Sequence, residues 1–275
     1  TTWFYSIKPS INNTVNYLCT MLIDTHSHFY SKEFNDDLND CIQRCKDNGV
    51  QQVLMPNVDL ESIERMHLLE DANADFFKSM MGVHPCYVKE DYQKQLDTCK
   101  AWFDQRDYCA VGEIGIDLHW DKTTLGIQQD AFRQQIRWAK ELGKPIAIHA
   151  RESFQEIFDL LDEENDEALT GVLHCFTGGI EEAQKIMSYG GFKMGIGGVL
   201  TFKKSGLDHV IEQVPLSELI LETDAPYLAP TPKRGKRNES AYLLQIAEKL
   251  ADVKGETLEI VGEVTTKNAT ELFGL

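Results

Sequence analysis

Met21-Leu22-Ile23-Asp24-Thr25-His26-Ser27-His28 is the stretch that decides the fold of this 275-residue chain. A short apolar run ends on a carboxylate and two imidazoles, and no glycine follows it. An open doubly wound sheet normally carries a glycine-rich phosphate turn directly after its first strand. Its absence here favours the other way of alternating strands with helices, a closed barrel that collects polar side chains at the carboxyl ends of its strands.

Outward from that stretch, eight apolar runs read as buried strands: Leu22–Thr25, Gln52–Met55, Lys78–Val83, Cys109–Glu113, Ile146–His149, Gly171–His174, Phe192–Ile196 and Leu219–Thr223. Between them, apolar residues recur at helical spacing. Phe34, Leu38, Cys41, Ile42 and Cys45 share a face that Gly49 ends. Phe132, Ile136 and Ala139 run to Gly143, and Ile180, Ala183 and Met187 run to Gly190, with Phe154, Ile157, Phe158 and Leu161 in between. A glycine just past a helix supplies the left-handed residue that stops it. Eight strand–helix units in about 250 residues match an eight-stranded parallel α/β barrel, the TIM barrel. No linker or shift of composition divides residues 21–275, which read as one domain. Residues 1–20 hold no apolar run long enough for a signal-peptide core. They read as an extension outside the fold, ahead of a natural start at Met21.

Composition narrows the function. Hydrophobic residues make up 42% and charged residues 26%, which excludes disordered and fibrous classes. No run of about 18 apolar residues is present to cross a membrane. The 27 Lys and Arg against 44 Asp and Glu give a net charge of −17, which excludes a global basic face for nucleic acid but not a local one. Seven cysteines, an odd number with no Cys-x-x-Cys pair, suit reduced thiols in the cytoplasm better than a disulfide framework. Nothing calls for an obligate protein partner.

Five of the eight histidines fall at or just beyond the carboxyl ends of the expected strands: His26, His28, His84, His149 and His174. Two carboxylates join them, Glu113 after Ala110-Val111-Gly112 and Asp224 after the last run. His26-x-His28 points both rings to one side of an extended segment. A carboxylate or imidazole ending an apolar strand is costly without a partner. Singly, each reads equally well as a hydrogen-bonded core residue; at one rim together, they read as ligands. Four histidines (His26, His28, His149, His174) and two carboxylates exceed what one tetrahedral zinc needs, and they suit two divalent cations with one carboxylate bridging. Mixed imidazole and carboxylate donors favour Zn, Mn, Ni or Co, with Mg possible if waters complete the shell.

The motifs together resemble the TatD family of metal-dependent deoxyribonucleases. They are Asp-x-His-x-His (24–28), Gly-x-His-Pro (82–85), Gly-Glu-Ile-Gly-Ile-Asp (112–117), Ile-His-Ala-Arg (148–151), His-Cys-Phe-Thr-Gly-Gly (174–179) and Glu-Thr-Asp-Ala-Pro-Tyr-Leu-Ala-Pro (222–230). Arg-Gly-Lys-Arg-Asn-Glu (234–239) and Asn268-Ala269 with Leu272-Phe273 follow the same pattern. The resemblance runs from about residue 22 to 274. It implies a barrel of the metallo-dependent hydrolase type and a phosphodiesterase. It also implies that His26, His28 and Asp224 hold one cation, His149 and His174 the other, and Glu113 bridges them. Departures are Ile116 where Leu is usual, Leu118-His119 where aromatics are common, and Ser240 where Pro is usual; none falls on an expected ligand.

The expected catalytic residues are Glu113 and Asp224, the latter also accepting the proton of the attacking water. His84 is expected to contact phosphate or protonate the leaving oxygen, against a structural role under the Pro85 turn. Arg151 is expected to bracket phosphate, against an ion pair with Glu152 or Glu156. Asp117 is expected to order the ligands from behind. The one basic run, Lys233, Arg234, Lys236 and Arg237, is expected to hold the nucleic-acid backbone through Arg234 and Arg237. With −17 overall, DNA ends or short strands fit better than long duplex, so an exonuclease is expected. The alternative is metal-dependent hydrolysis of another ester or amide bond, such as an aminoacyl ester or a small phosphoester. A non-enzymatic metal-binding scaffold is disfavoured, because all six ligands are present.

Overall fold

The computed structural model describes residues 21–275, so the expectation for residues 1–20 lies outside the described residues. The strands are β1 (Leu22–Asp24), β2 (Val50–Pro56), β3 (Phe77–Met81), β4 (Ala110–Asp117), β5 (Ile146–Arg151), β6 (Gly171–Leu173), β7 (Phe192–Ile196) and β8 (Leu219–Leu221). They form one sheet in sequence order, and each ladder is parallel. The helices between them are α1 (Leu38–Asp47), α2 (Ile63–Ala72), α3 (Tyr92–Trp102), α4 (Leu125–Leu142), α5 (Phe154–Glu164), α6 (Ile180–Ser188) and α7 (Leu207–Gln213). After β8 come α8 (Leu243–Lys254) and α9 (Leu258–Phe273). The expected barrel is the observed one.

Alternation along the strands creates two cores. Ile23, Leu54, Met80, Ala110, Ala147, Val172 and Ile220 point inward, where Ala269 and Phe273 of α9 pack against them. The alternate residues, Leu22, Val53, Val111, Ile146, Phe192 and Leu219 among them, join the helices in the larger outer core. Three hydrogen bonds from α9 fix it across the amino ends of the strands. Asn268 donates to the carbonyls of Leu216 and Leu219, and Thr266 donates to that of Met21. The amino end is thereby plugged, and the carboxyl end is left for polar groups.

Closure falls on β1 and β8. Thr25 N–H donates to Leu221 O at 3.0 Å, Asp224 N–H to His26 O at 2.9 Å and His28 N–H to Ala225 O at 2.7 Å. The residues that seal the barrel are therefore the residues around the first histidine pair. On the other side, β4 carries an irregularity: Val111 pairs with Ile146 and Ile114 with Ile148, so the ladder with β5 gains a residue around Gly112-Glu113. Such a bulge turns a side chain away from its regular direction. Gly115 follows at φ 140°, where a Cβ would meet the His149 carbonyl oxygen at 2.1 Å, so only glycine fits that approach.

Several boundaries differ from expectation. β6 and β8 stop one and two residues early, because His174 and Thr223 leave the sheet for the rim; β3 stops before Gly82, and β4 runs on to Asp117. Phe34 belongs to a separate 3-10 turn, Lys32–Phe34, and not to the first helix, although its ring is buried as expected. Asn48 caps α1 and Gly49, at φ 80°, follows it.

Candidate metal centre

Glu113 stands at the middle of the carboxyl rim, with a side chain only 2% exposed. Its Oε2 lies 3.2 Å from His26 Nε2 and 3.6 Å from His28 Nε2. Its Oε1 lies 3.0 Å from His149 Nδ1, 3.1 Å from His174 Nε2 and 3.3 Å from His84 Nε2. Asp224 closes the Oε2 side, 3.4 Å from His28 Nε2 and 3.9 Å from His26 Nε2. The six expected ligands and His84 thus converge, and the two oxygens of one carboxylate face two different nests.

Hydrogen bonds behind the rings set which nitrogen offers a lone pair. Tyr30 donates its hydroxyl to Pro56 O at 2.6 Å, so its oxygen is left to accept from His28 Nδ1 at 3.0 Å. A neutral His28 ring then turns the lone pair of Nε2 toward the centre, and a protonated one donates from Nε2 to Asp224. His149 Nε2 lies 2.9 Å from Asp117 Oδ2, so a neutral ring keeps its proton there and turns the lone pair of Nδ1 toward the centre. His174 Nδ1 is 3.3 Å from Glu222 Oε1, outside hydrogen-bond geometry but within ion-pair range, while Nε2 points at Glu113. His84 is the reverse case. Its Nδ1 accepts the Cys86 N–H at 3.1 Å, so a neutral ring carries its proton on Nε2 and is a donor toward the centre. The turn at Pro85 and the contact with the centre are therefore both real features of His84.

Burial alone would raise the Glu113 carboxyl, but the charges of His84, His26 and His174 outweigh it and hold it well below the usual range. Asp224 likewise lies low: burial opposes ionisation, and the His28 hydrogen bond and neighbouring imidazoles prevail. Burial lowers His26, next to the like charge of His174, and burial lowers His84. Burial would lower His174 too, yet Glu113 and Glu222 lift it well above its ordinary value. Burial likewise opposes His149, and hydrogen bonds to Asp117 and Glu113 raise it against that burial. Buried ionised carboxylates ringed by imidazoles make a donor set for divalent cations. Donor atoms of His26, His28 and Asp224 lie within 4.8 Å of one another, as do those of His26, Glu113 and His174, and those of His84, Glu113 and His149. The residues fit the group.

Four residues beyond the ligands shape the site. Asp117 stands behind His149 as expected. Glu222 supports His174 and accepts the Cys175 N–H; a Cβ on Gly195 would meet its Oε2 at 2.1 Å, so a glycine on β7 makes its room. Tyr30 orients His28, and Asp24 accepts from Thr223 N and Oγ1 across the seam. Glu222 and Asp24 carried a sequence signal, each a carboxylate ending an apolar run, whereas Tyr30 carried none. Asp224, Cys175 and Glu152 all hold positive φ, at 57°, 47° and 54°. Non-glycine residues in that region store strain that the surrounding structure must hold, a common feature of functional rims.

The expected substrate-contacting residues divide. Arg151 is exposed, with its guanidinium 5.5 Å from the centroid of the Trp120 ring. Glu152 pairs with His119 and Lys122 instead of with Arg151. Arg234 is exposed and lies 3.8 Å over the Phe202 ring. Arg237 is committed elsewhere. Its two terminal nitrogens donate to Asp37 Oδ1 and Oδ2 at 2.7 and 2.8 Å, and to Glu33 O at 2.7 Å. An open cleft of about 440 Å³ beside it, lined by Arg44, Lys233, Arg237, Glu239 and Tyr242, includes none of the rim histidines.

An eight-stranded barrel with an imidazole–carboxylate cluster on its carboxyl rim defines the class of metal-dependent hydrolases. The chain belongs to the TatD related DNase family, whose model matches residues 23–274. It is 38% identical to the uncharacterized metal-dependent hydrolase YabD of Bacillus subtilis, over 92% of this chain and 99% of that one. It is 30% identical to the 3′-5′ ssDNA/RNA exonuclease TatD of Pantoea ananatis, over 92% of this chain and all of that one. A crystal structure of the TatD homologue YjjV from Escherichia coli superposes with a TM-score of 0.86 at 28% identity, covering 92% of this chain and 98% of that one.

Proposed function

We propose that this chain hydrolyses phosphodiester bonds in nucleic acid, working from the ends of single strands with two divalent cations drawn from Mg, Mn, Zn, Ni or Co. The observation that carries the two-cation reading is the division of the Glu113 oxygens between two sets of imidazole nitrogens. His26, His28 and Asp224 would hold one cation, His149 and His174 the other, with Glu113 between them. When bound, such ions lower the pKa of a water toward neutrality and polarise the phosphoryl oxygen. Asp224, ionised and 14% exposed at the mouth, is the group to take the proton of that water. His84 presents a proton on Nε2 to the phosphate or the leaving oxygen, while Arg151 and Arg234 bracket phosphates from the rim.

Relatives named as single-strand exonucleases support the substrate class. No helix among the described residues is long and apolar enough to cross a membrane. The six described cysteines are all free, which supports a reducing cytoplasmic setting.

The test is an assay of metal-loaded protein, with metal content measured on the same sample. Substrates are end-labelled single-stranded and duplex oligonucleotides beside a panel of carboxylic esters, amides and small phosphoesters. Stepwise shortening of the single strand is expected. Turnover of esters or amides with the oligonucleotides untouched would overturn the reading in favour of a different hydrolase.

A further inference from the structure

Trp120 is the most exposed of the large hydrophobic side chains among the described residues, at 72%. A single exposed indole needs no explanation by itself, but this one is tied to the metal centre by one carboxylate. Asp117 Oδ2 lies 2.9 Å from His149 Nε2, and Asp117 Oδ1 accepts the N–H groups of His119 and Trp120 at 2.9 and 3.3 Å. The loop after β4 that carries the indole is therefore fixed to the group that orients a candidate ligand. From the next strand, Arg151, two residues beyond His149, sets its guanidinium 5.5 Å from the indole centroid. The His119 ring stands edge-on to the indole at 4.9 Å and is held by Glu152 at 2.7 Å. The result is an open aromatic face beside a cation with no carboxylate partner among the described residues. Other exposed aromatics stand on the same rim: Tyr87 packs 6.1 Å from His84, and Tyr227 packs 5.9 Å from His28.

Resting on the nuclease reading, we propose that Trp120 and Arg151 form a stacking subsite for one unpaired nucleobase, next to the nucleotide whose phosphate is cut. The base lies on the indole, and the guanidinium takes the adjoining phosphate. Stacking on an aromatic platform tolerates any base, because each has a π-face, but it needs that face free of a paired neighbour. The subsite thereby selects for single strands and ignores sequence.

Binding tests this without turnover. Metal-loaded protein is titrated into a fluorescein-labelled oligothymidylate with hydrolysis-resistant phosphorothioate linkages, and anisotropy gives Kd. Trp120→Ala should raise Kd on the order of tenfold, and Trp120→Phe, which keeps a stacking ring, should stay near wild type. On the same strand with abasic sugars, wild type and Trp120→Ala should bind alike. A Trp120→Ala protein that binds the thymidylate as wild type does, or that loses the same factor on the abasic strand, overturns the subsite. If wild type binds no oligonucleotide at all, the nuclease reading fails with it; wild-type binding that ignores Trp120 removes the subsite alone.

Discussion

At the scale of single residues, the site is organised by a charge that has no reason to be buried except for what surrounds it. Glu113 is held ionised by imidazoles on both of its oxygens, and two dications in its place would repel each other without a carboxylate between them. Glu113→Ala is therefore expected to abolish hydrolysis and to lower the occupancy of both cations, measured by elemental analysis after dialysis. Two tightly held metals in that variant would show that Glu113 does not bridge. The ligand candidates were legible in the sequence because a histidine or carboxylate ending an apolar strand has few cheap explanations. The tautomers were not legible. His28 and His84 look alike as letters, and they differ because the Tyr30 oxygen accepts a hydrogen bond from one ring while the Cys86 amide donates one to the other. Arg237 shows the opposite failure: a basic run reads as solvated or substrate-facing, and only the fold reveals that Asp37 reaches it from 200 residues away in sequence.

At the scale of elements, eight strands were readable from apolar runs, but their ends were not. The periodicity of a strand says nothing about where a bulge such as that at Gly112-Glu113 re-aims the chain. At the start of α1, Asp37 occupies the N-cap yet makes no capping bond, because its carboxylate turns instead to Arg237 and Arg44. Arg44 in turn grips Glu239, so this cluster pins α1 to the segment after β8. Hydrogen bonds from Arg237 first, and then from Arg44, hold the Asp37 carboxyl well below its ordinary range. An acid depressed in the folded state leaves the unfolded chain as the better proton binder. Its stabilisation is thus fully present above the unfolded value, near ~3.9, and is lost as pH falls toward the folded one. Asp37→Asn should cost about 1–2 kcal/mol at pH 7, modest because the groups are partly exposed. In urea denaturation, the gap between variant and wild type should persist at pH 5 and narrow below about pH 4. A gap that does not change with pH would show that the carboxylate charge contributes nothing.

At the scale of the whole molecule, a net charge of −17 must be reconciled with the polyanionic substrate proposed above. Long-range attraction is unavailable, so affinity has to come from groups within about a Debye length of the bound strand, ~8–10 Å. On the loop after β8, Arg234 and Lys236 are exposed, while Arg237 is spent on Asp37. Replacing Arg234 and Lys236 together with Ala should weaken oligonucleotide binding without changing metal content, since neither residue is among the groups that converge on Glu113. Removing one cation that neutralises a phosphate of a single strand should flatten the plot of log K against log salt by about 0.7. The double variant is therefore expected to lose about 1.4 in slope, and its deficit relative to wild type should shrink as salt rises. Arg237→Ala should instead register mainly as a lower Tm, because it breaks the pairing that holds α1. Unaltered affinity and slope in the Arg234 and Lys236 variant would make this loop a solvated surface. The strand would then have to be held entirely by the rim around Glu113.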